Sequence, residues 1–253
     1  MTAAQGATPK RAGLMEDFKA VGHRVLAGAL GGFACGFVIG GIGGRLAMLM
    51  LRLTTGSEVV GLESDDGFTM GSFTSATMFL VGLTSFGGAF IGVIYSFVRG
   101  WLPERSRRMA VAAILGLVGG AAIIHPGGVD FTALRPLWLA IALFTLLPAL
   151  FGFVLSPTVD RLLERPVGRF APWLGLAALM FGVVVVGVDS PAGILGVPLL
   201  LLAVVAIAIG ARKFSTLRSL PSMPAVVWAA RSLLIAGAAF GAFMLVKDIA
   251  QVV

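Results

Sequence analysis

Three arginines and three aspartates are the residues with most chemistry to offer. Arg45 and Arg52 lie seven apart, which places both on one face of a helix, and Arg135 follows a later apolar run. Asp65 and Asp66 stand just before Gly67-Phe68-Thr69, and Asp130 stands just before Phe131-Thr132. All six fall near the ends of long apolar stretches. Guanidinium groups at such a boundary hold carboxylates, phosphates or lipid headgroups through charge-assisted hydrogen bonds. The expected site is an anion- or lipid-binding pocket of Arg45, Arg52 and Arg135 under an acidic rim. Asp65, Asp66 and Asp130 are its paired acids and, in that order, the expected partners of Arg45. A purely structural reading competes with it: the same charges neutralise one another and lock the loops over the helices, as intramembrane charges generally do.

Catalysis and metal binding have weaker claims. His125 with Asp65, Asp66 and Asp130 offers ligand types for zinc or a hard cation, but the spacing follows no ligand pattern, so no metal is expected. His125 and Asp130 form an H-x4-D arrangement similar to the catalytic pair of glycerolipid acyltransferases, in which the histidine is the general base. The phosphate-binding motifs of that family are absent. There is no Walker loop, GxSxG or HExxH, and no lysine within a span to carry a Schiff base. His23 and His125 fall on opposite sides of the membrane and cannot share a haem. No cofactor is expected, and the reading leans away from an enzyme.

The elements that position these residues are membrane helices. The chain has 253 residues, 58% of them hydrophobic and 12% charged, with a mean hydropathy of +0.99. An ordinary soluble domain is about 25% charged. The net charge of +7 does not mark a nucleic-acid face, because the arginines lie in short loops between apolar runs. Cys35 is the sole cysteine and lies inside an apolar run, so no internal disulfide forms. The apolar runs are Val25–Leu53, Ser75–Val98, Met109–Ile124, Leu137–Leu155, Ala171–Val188, Ile194–Ala211 and Val226–Val246. Met109–Ile124 is short and needs its flanks or a thin bilayer to cross. Pro148 is expected to kink the fourth span. Residues Met1–Arg24 form a basic N-terminal tail, with Glu16–Arg24 as an interfacial helix, and no cleavable signal peptide is expected.

The first span is organised by glycine. Gly28, Gly32, Gly36, Gly40 and Gly44 recur at every fourth position. In water each would cost about 1 kcal/mol relative to alanine; in a bilayer the helix persists and the missing side chains let another backbone approach. A step of four drifts by about 40° around a helix, so the stripe follows the i±4 ridge and invites more than one partner helix. With arginines opposite the glycines, this helix has little surface to offer lipid.

Orientation follows from charge. Of the 19 Lys and Arg residues, all but Arg45, Arg52, Arg135 and Lys247 fall on one side of the seven-span arrangement. That side is expected to be cytoplasmic, with the N-terminus inside and the C-terminus outside. Arg161, Arg165 and Arg169, at four-residue spacing, read as an interfacial basic segment that anchors on anionic lipid.

Gly43-Gly44-Arg45-Leu46-Ala47-Met48, Ser64-Asp65-Asp66-Gly67-Phe68 and His125-Pro126 with Gly128-Val129-Asp130-Phe131-Thr132 resemble a group of uncharacterised multi-pass membrane proteins from GC-rich bacteria. The resemblance covers about the first four spans and implies no activity or cofactor. The expected fold is an all-α, polytopic transmembrane helix bundle of about seven spans, residues 25–253, with the glycine-rich helix 1 central. The expected role is non-enzymatic, either transport-like or as a membrane accessory subunit, in the bacterial cytoplasmic membrane. The alternative is a membrane-embedded enzyme acting on a lipid headgroup or small anion at the outer face. Membrane lipid is the expected partner, with another membrane protein or a second copy of the chain next, and no nucleic acid.

Overall fold

The structure, a computed structural model, describes residues 9–56, 61, 75–165 and 223–252. The described residues are helical: α1 (Pro9–Cys35), a π-helical segment (Gly36–Gly43), α2 (Gly44–Thr55), α3 (Ser75–Val98) ending in a 3-10 turn (Arg99–Trp101), α4 (Arg107–Ile123), the short α5 (Val129–Thr132), α6 (Leu137–Glu164) and α7 (Pro224–Val252). Among the described residues, four helices are long and apolar enough to cross a membrane: Lys19–Thr55, Thr77–Trp101, Leu137–Glu164 and Pro224–Val252. The 17 residues of α4 reach only about 26 Å at 1.5 Å per residue. The apolar runs Ala171–Val188 and Ile194–Ala211 lie outside the described residues.

Glycines decide which helices touch. Gly28, Gly32 and Gly36 of helix 1 meet Gly92, Gly88 and Thr84 of α3, so the two helices run antiparallel in one register. A Cβ on any of the three glycines would collide with α3 backbone, and one on Gly88 or Gly92 would collide with helix 1 backbone. The contact is thus backbone on backbone, which only glycine permits. Gly31, on another face, meets Val159 and Leu162 of α6, and Gly43 meets Leu147. Helix 1 therefore packs on both α3 and α6. The pattern recurs at the next interface, where Gly116 meets Ala149, Gly119 meets Pro148, and Gly152 meets the Val111 backbone. Gly241 of α7 then packs on Val118 of α4.

Helix 1 is continuous but not uniform. Its α-helix gives way to eight residues of π-helix, Gly36–Gly43, and resumes at Gly44, with Cys35, Gly43 and Gly44 at the junctions all in right-handed helical angles. Four of those eight residues are glycine, which tolerates the wider turn. One consequence is a slip in register, since Thr84 lies against both Gly36 and Gly40. A second is that Gly44, the last glycine of the repeat, faces open space.

Helix 1 also carries a third face, which a division into glycines and arginines passes over. Val38, Ile42, Leu46, Leu49 and Leu53 along it are exposed, as apolar side chains are where a helix meets lipid. The expectation of little lipid-facing surface is corrected accordingly. The fourth span is longer than its apolar run. α6 is helical through Pro148 and Pro157 and runs to Glu164, nine residues past Leu155. Pro148 is accommodated against Gly119.

Gly32→Leu and Gly88→Leu should each destabilise the detergent-solubilised protein by about 3 kcal/mol through overpacking. Gly87→Leu, whose side chain enters open space, should change stability by less than about 0.5 kcal/mol. Thermal unfolding of the three variants measures the difference, and equal effects would refute the backbone contact.

Candidate functional site

The chain gathers polar side chains at both ends of the bundle. At one end are the residues singled out by the sequence. Helix 1 stops at Thr55, and Gly56 caps it at φ +106°, donating its N–H to the Arg52 carbonyl at 3.0 Å. Positive φ of this kind favours glycine. The Arg135 N–H donates to Thr55 Oγ1 at 2.8 Å, and the Arg135 carbonyl accepts from Thr54 at 3.0 Å and Thr55 at 2.9 Å. The last turn of helix 1 is thereby tied to the chain just before α6, which brings the backbones carrying Arg52 and Arg135 to one place. Arg52 is half-buried and Arg135 exposed. Arg45, also half-buried, sits in the first turn of α2, about 10 Å deeper along the axis.

The proposed acids are less defined. Asp65 and Asp66 lie outside the described residues. Asp130 falls inside α5, which starts from Gly128, whose carbonyl accepts from Phe131 and Thr132 N–H groups at 3.1 Å each. Phe131, buried against the Phe144 ring at 5.5 Å between centroids, pins this turn to α6. His125 is exposed, and its Nδ1 lies 3.0 Å from the Ile123 carbonyl. Since a carbonyl only accepts, Nδ1 carries the proton.

The opposite end holds a network that sequence reasoning missed. Tyr95, 2% exposed, directs its hydroxyl at Asp160 Oδ1, 3.0 Å away, and lies 2.8 Å from Ser156 Oγ. A phenol has one proton and a carboxylate only accepts. Tyr95 therefore donates to Asp160, and Ser156 donates to Tyr95. Arg107 Nη1 donates to Asp160 Oδ2 at 3.2 Å, while Arg99 Nε stands 3.4 Å from Oδ1. One carboxylate thus joins α3, the 3-10 turn, α4 and α6. Glu104 lies 3.8 Å from Arg107 but is 93% exposed, so that pair contributes little. The apolar run Leu137–Leu155 stops short of Asp160, which α6 carries on its polar extension to Glu164. The available signal was the spacing of Ser156 and Asp160, four residues apart and so on one helical face.

Three other side chains at this end satisfy backbone carbonyls. Pro157 has no N–H, which leaves the Phe153 carbonyl one turn earlier without a helical donor. Arg108 Nε fills that role at 3.0 Å, with its guanidinium 3.5 Å above the Phe153 ring. His23 Nε2 lies 3.1 Å from the Leu163 carbonyl, among the last carbonyls of α6, and donates to it. Arg231 Nε donates to the Trp101 carbonyl at 2.7 Å. His23 and Arg231 thus act as hydrogen-bond donors that hold helix ends together.

The Asp160 network predicts energetic coupling. Asp160→Asn should destabilise the protein more in the native background than in Arg107→Gln, with a coupling of about 1 kcal/mol or more. Tyr95→Phe, which removes the proton donated to Asp160, should cost about 1 kcal/mol. A double-mutant cycle by thermal unfolding in detergent reads both, and additive single effects would exclude the network as a unit.

No family model, curated protein or solved structure matches the chain.

Proposed function

We propose that the chain is a non-enzymatic accessory subunit of the bacterial cytoplasmic membrane. In this reading a glycine-packed bundle of about seven spans, with helix 1 at its centre, presents an anion or lipid-headgroup site at its outer end. Arg45, Arg52 and Arg135 hold the anion, and Asp65, Asp66 and Asp130 form its rim. The observation that carries the reading is the pair of threonines, Thr54 and Thr55, that ties Arg135 to the last turn of helix 1. It supports two of the three guanidinium groups being anchored on rigid elements at the same boundary. The span count draws support from where the helices end. Leu163 of α6 lies by His23, and Arg231 of α7 by Trp101, at the same arginine-rich end. A chain that leaves and re-enters on one face crosses an even number of times between, in keeping with the two apolar runs Ala171–Val188 and Ile194–Ala211. Orientation rests on the same end carrying Arg99, Arg105, Arg107, Arg108 and Arg161.

A transport-like role is the second reading, favoured by the π segment Gly36–Gly43 directly before Arg45. π turns inside α-helices mark functional positions, and this one gives helix 1 an alternative local winding.

Two measurements test the proposal. In a Cys35→Ala background, Gly127→Cys should react with a membrane-impermeant maleimide in intact cells, and Arg165→Cys should be protected; the reverse pattern would invert the topology. A photoactivatable phosphatidylglycerol should cross-link to peptides around Arg52 and Arg135, with yield falling about fivefold for each arginine changed to glutamine. Unchanged cross-linking would remove the site. Arg45-dependent uptake of a small anion into proteoliposomes would replace the accessory role by transport.

A further inference from the structure

Between α4 and α7 runs a groove of about 500 Å³ that begins at the arginine-rich end. Its α7 wall follows the spacing of one helical face, from Arg231 through Leu234 and Ala239 to Ala242. Ala110 and Leu117 belong to the facing wall on α4. At the level of its floor the two helices touch, Gly241 against Val118. The eleven steps from Arg231 to Ala242 span about 16 Å along a helix axis. That is close to the depth of one leaflet in a hydrocarbon core about 30 Å thick. A second groove of about 450 Å³, between α4 and α6, is lined by apolar residues alone.

Charge and depth together select the occupant. Arg231 is half-buried and donates its Nε to the Trp101 carbonyl at 2.7 Å. That bond orients the guanidinium without balancing its charge, because a carbonyl is neutral. Among the described residues Arg231 joins no ion pair. Glu104, which follows Pro103 of the groove wall, stands 3.8 Å from Arg107 instead. Of residues 166–222 only Asp189 is acidic, and apolar runs separate it from Arg169 on one side and Arg212 on the other. The Nη groups of Arg231 are the remaining donors, a pair suited to two oxygens of one phosphate. The Trp228 ring lies 5.9 Å from the guanidinium carbon, and with Trp101 it marks the boundary level at which indole rings gather. A guanidinium at that level above an apolar groove one leaflet deep matches the form of a phospholipid, phosphate above and alkyl chain below. An apolar protein helix seated there would fill the groove and leave the charge unanswered.

We propose that this groove binds one phospholipid of the leaflet at the arginine-rich end, with its phosphate on the Nη groups of Arg231 and one acyl chain lying between α4 and α7. The site is separate from the one at the Arg52–Arg135 end and does not rest on it. The bound lipid would cover apolar surface along the seam that Gly241 and Val118 close at its floor.

The full chain, delipidated in neutral detergent, is incubated with a stoichiometric phosphatidylglycerol carrying a photoactivatable group in the middle of one acyl chain, and the labelled peptides are mapped. Label should concentrate on residues 110–117 and 234–242, about fivefold or more above the exposed face of helix 1 at Leu46, Leu49 and Leu53. Unlabelled dioleoyl phosphatidylglycerol should compete about fivefold better than dioleoylglycerol, which has the chains without the phosphate. Arg231→Gln should lower labelling of the groove about fivefold. Ala239→Phe, which fills the groove from an exposed position on its wall and removes no charge, should lower it to the same degree. Gly237→Leu, on the same helix with open space around it, and Arg161→Gln, on the exposed surface of the same end, should each leave labelling within about twofold. Equal labelling of the helix 1 face would mean annular lipid only. That result, equal competition by dioleoylglycerol, or unchanged labelling in Arg231→Gln would each overturn the proposal. Absent labelling of the groove in the native chain would give it to another occupant, residues 166–222 or a second copy of the chain, and would overturn the proposal as well. If Arg231→Gln does not fold, Ala239→Phe decides by the same criterion.

Discussion

The backbone contact between helix 1 and α3 is the constraint on which the rest depends. Gly28, Gly32 and Gly36 stack on Gly92, Gly88 and Thr84 with no side chain between them. In lipid there is no hydrophobic drive to bring helices together, so close dispersion contact must do so, and it is greatest where backbones touch. Small hydroxyls in the same region are satisfied within their own helix: Thr84 donates to Leu80 and Val81 carbonyls, and Ser85 to Val81. They add polarity without requiring a partner across the interface. Once α3 is seated, Gly31 and Gly43 leave room for α6 on another face, and Gly116, Gly119 and Gly152 repeat the device between α4 and α6.

Charge is used differently at the arginine-rich end. Where a helix ends or a proline interrupts it, a carbonyl is left without its donor, and in low dielectric that omission is costly. His23, Arg108 and Arg231 each supply the missing donor from a different helix. These long-range bonds tie together helix ends that glycine contacts alone would leave free to splay. Asp160 does the same for four elements at once, with Tyr95 and Ser156 completing its hydrogen bonding. The arrangement limits how far α3, α4 and α6 can move independently at this end. Among the described residues, Thr54, Thr55 and the Arg135 backbone join helix 1 to α6 at the other end, above a buried cluster that includes Leu51, Ile124, Phe131 and Phe144.

Composition and periodicity by themselves determined that this is an all-helical chain with membrane-length apolar helices, because length and hydropathy are local properties. The glycine repeat was equally legible, and so was its consequence that another backbone comes close. Which backbone, and in which register, was not. Gly88 and Gly92 of α3 carry the matching spacing, but a step of four occurs elsewhere in the chain, and only packing selects among such pairs. Tertiary structure also decided that Gly44 faces open space, because the π segment shifts its phase, and no sequence period encodes that shift. It carried α6 beyond its apolar run to Asp160, since a helix in lipid can pass Pro157 when Arg108 satisfies the freed carbonyl. Whether a charged residue anchors the fold or offers a site depends on which groups the other helices bring within about 3 Å of it, and that is a property of the assembled bundle.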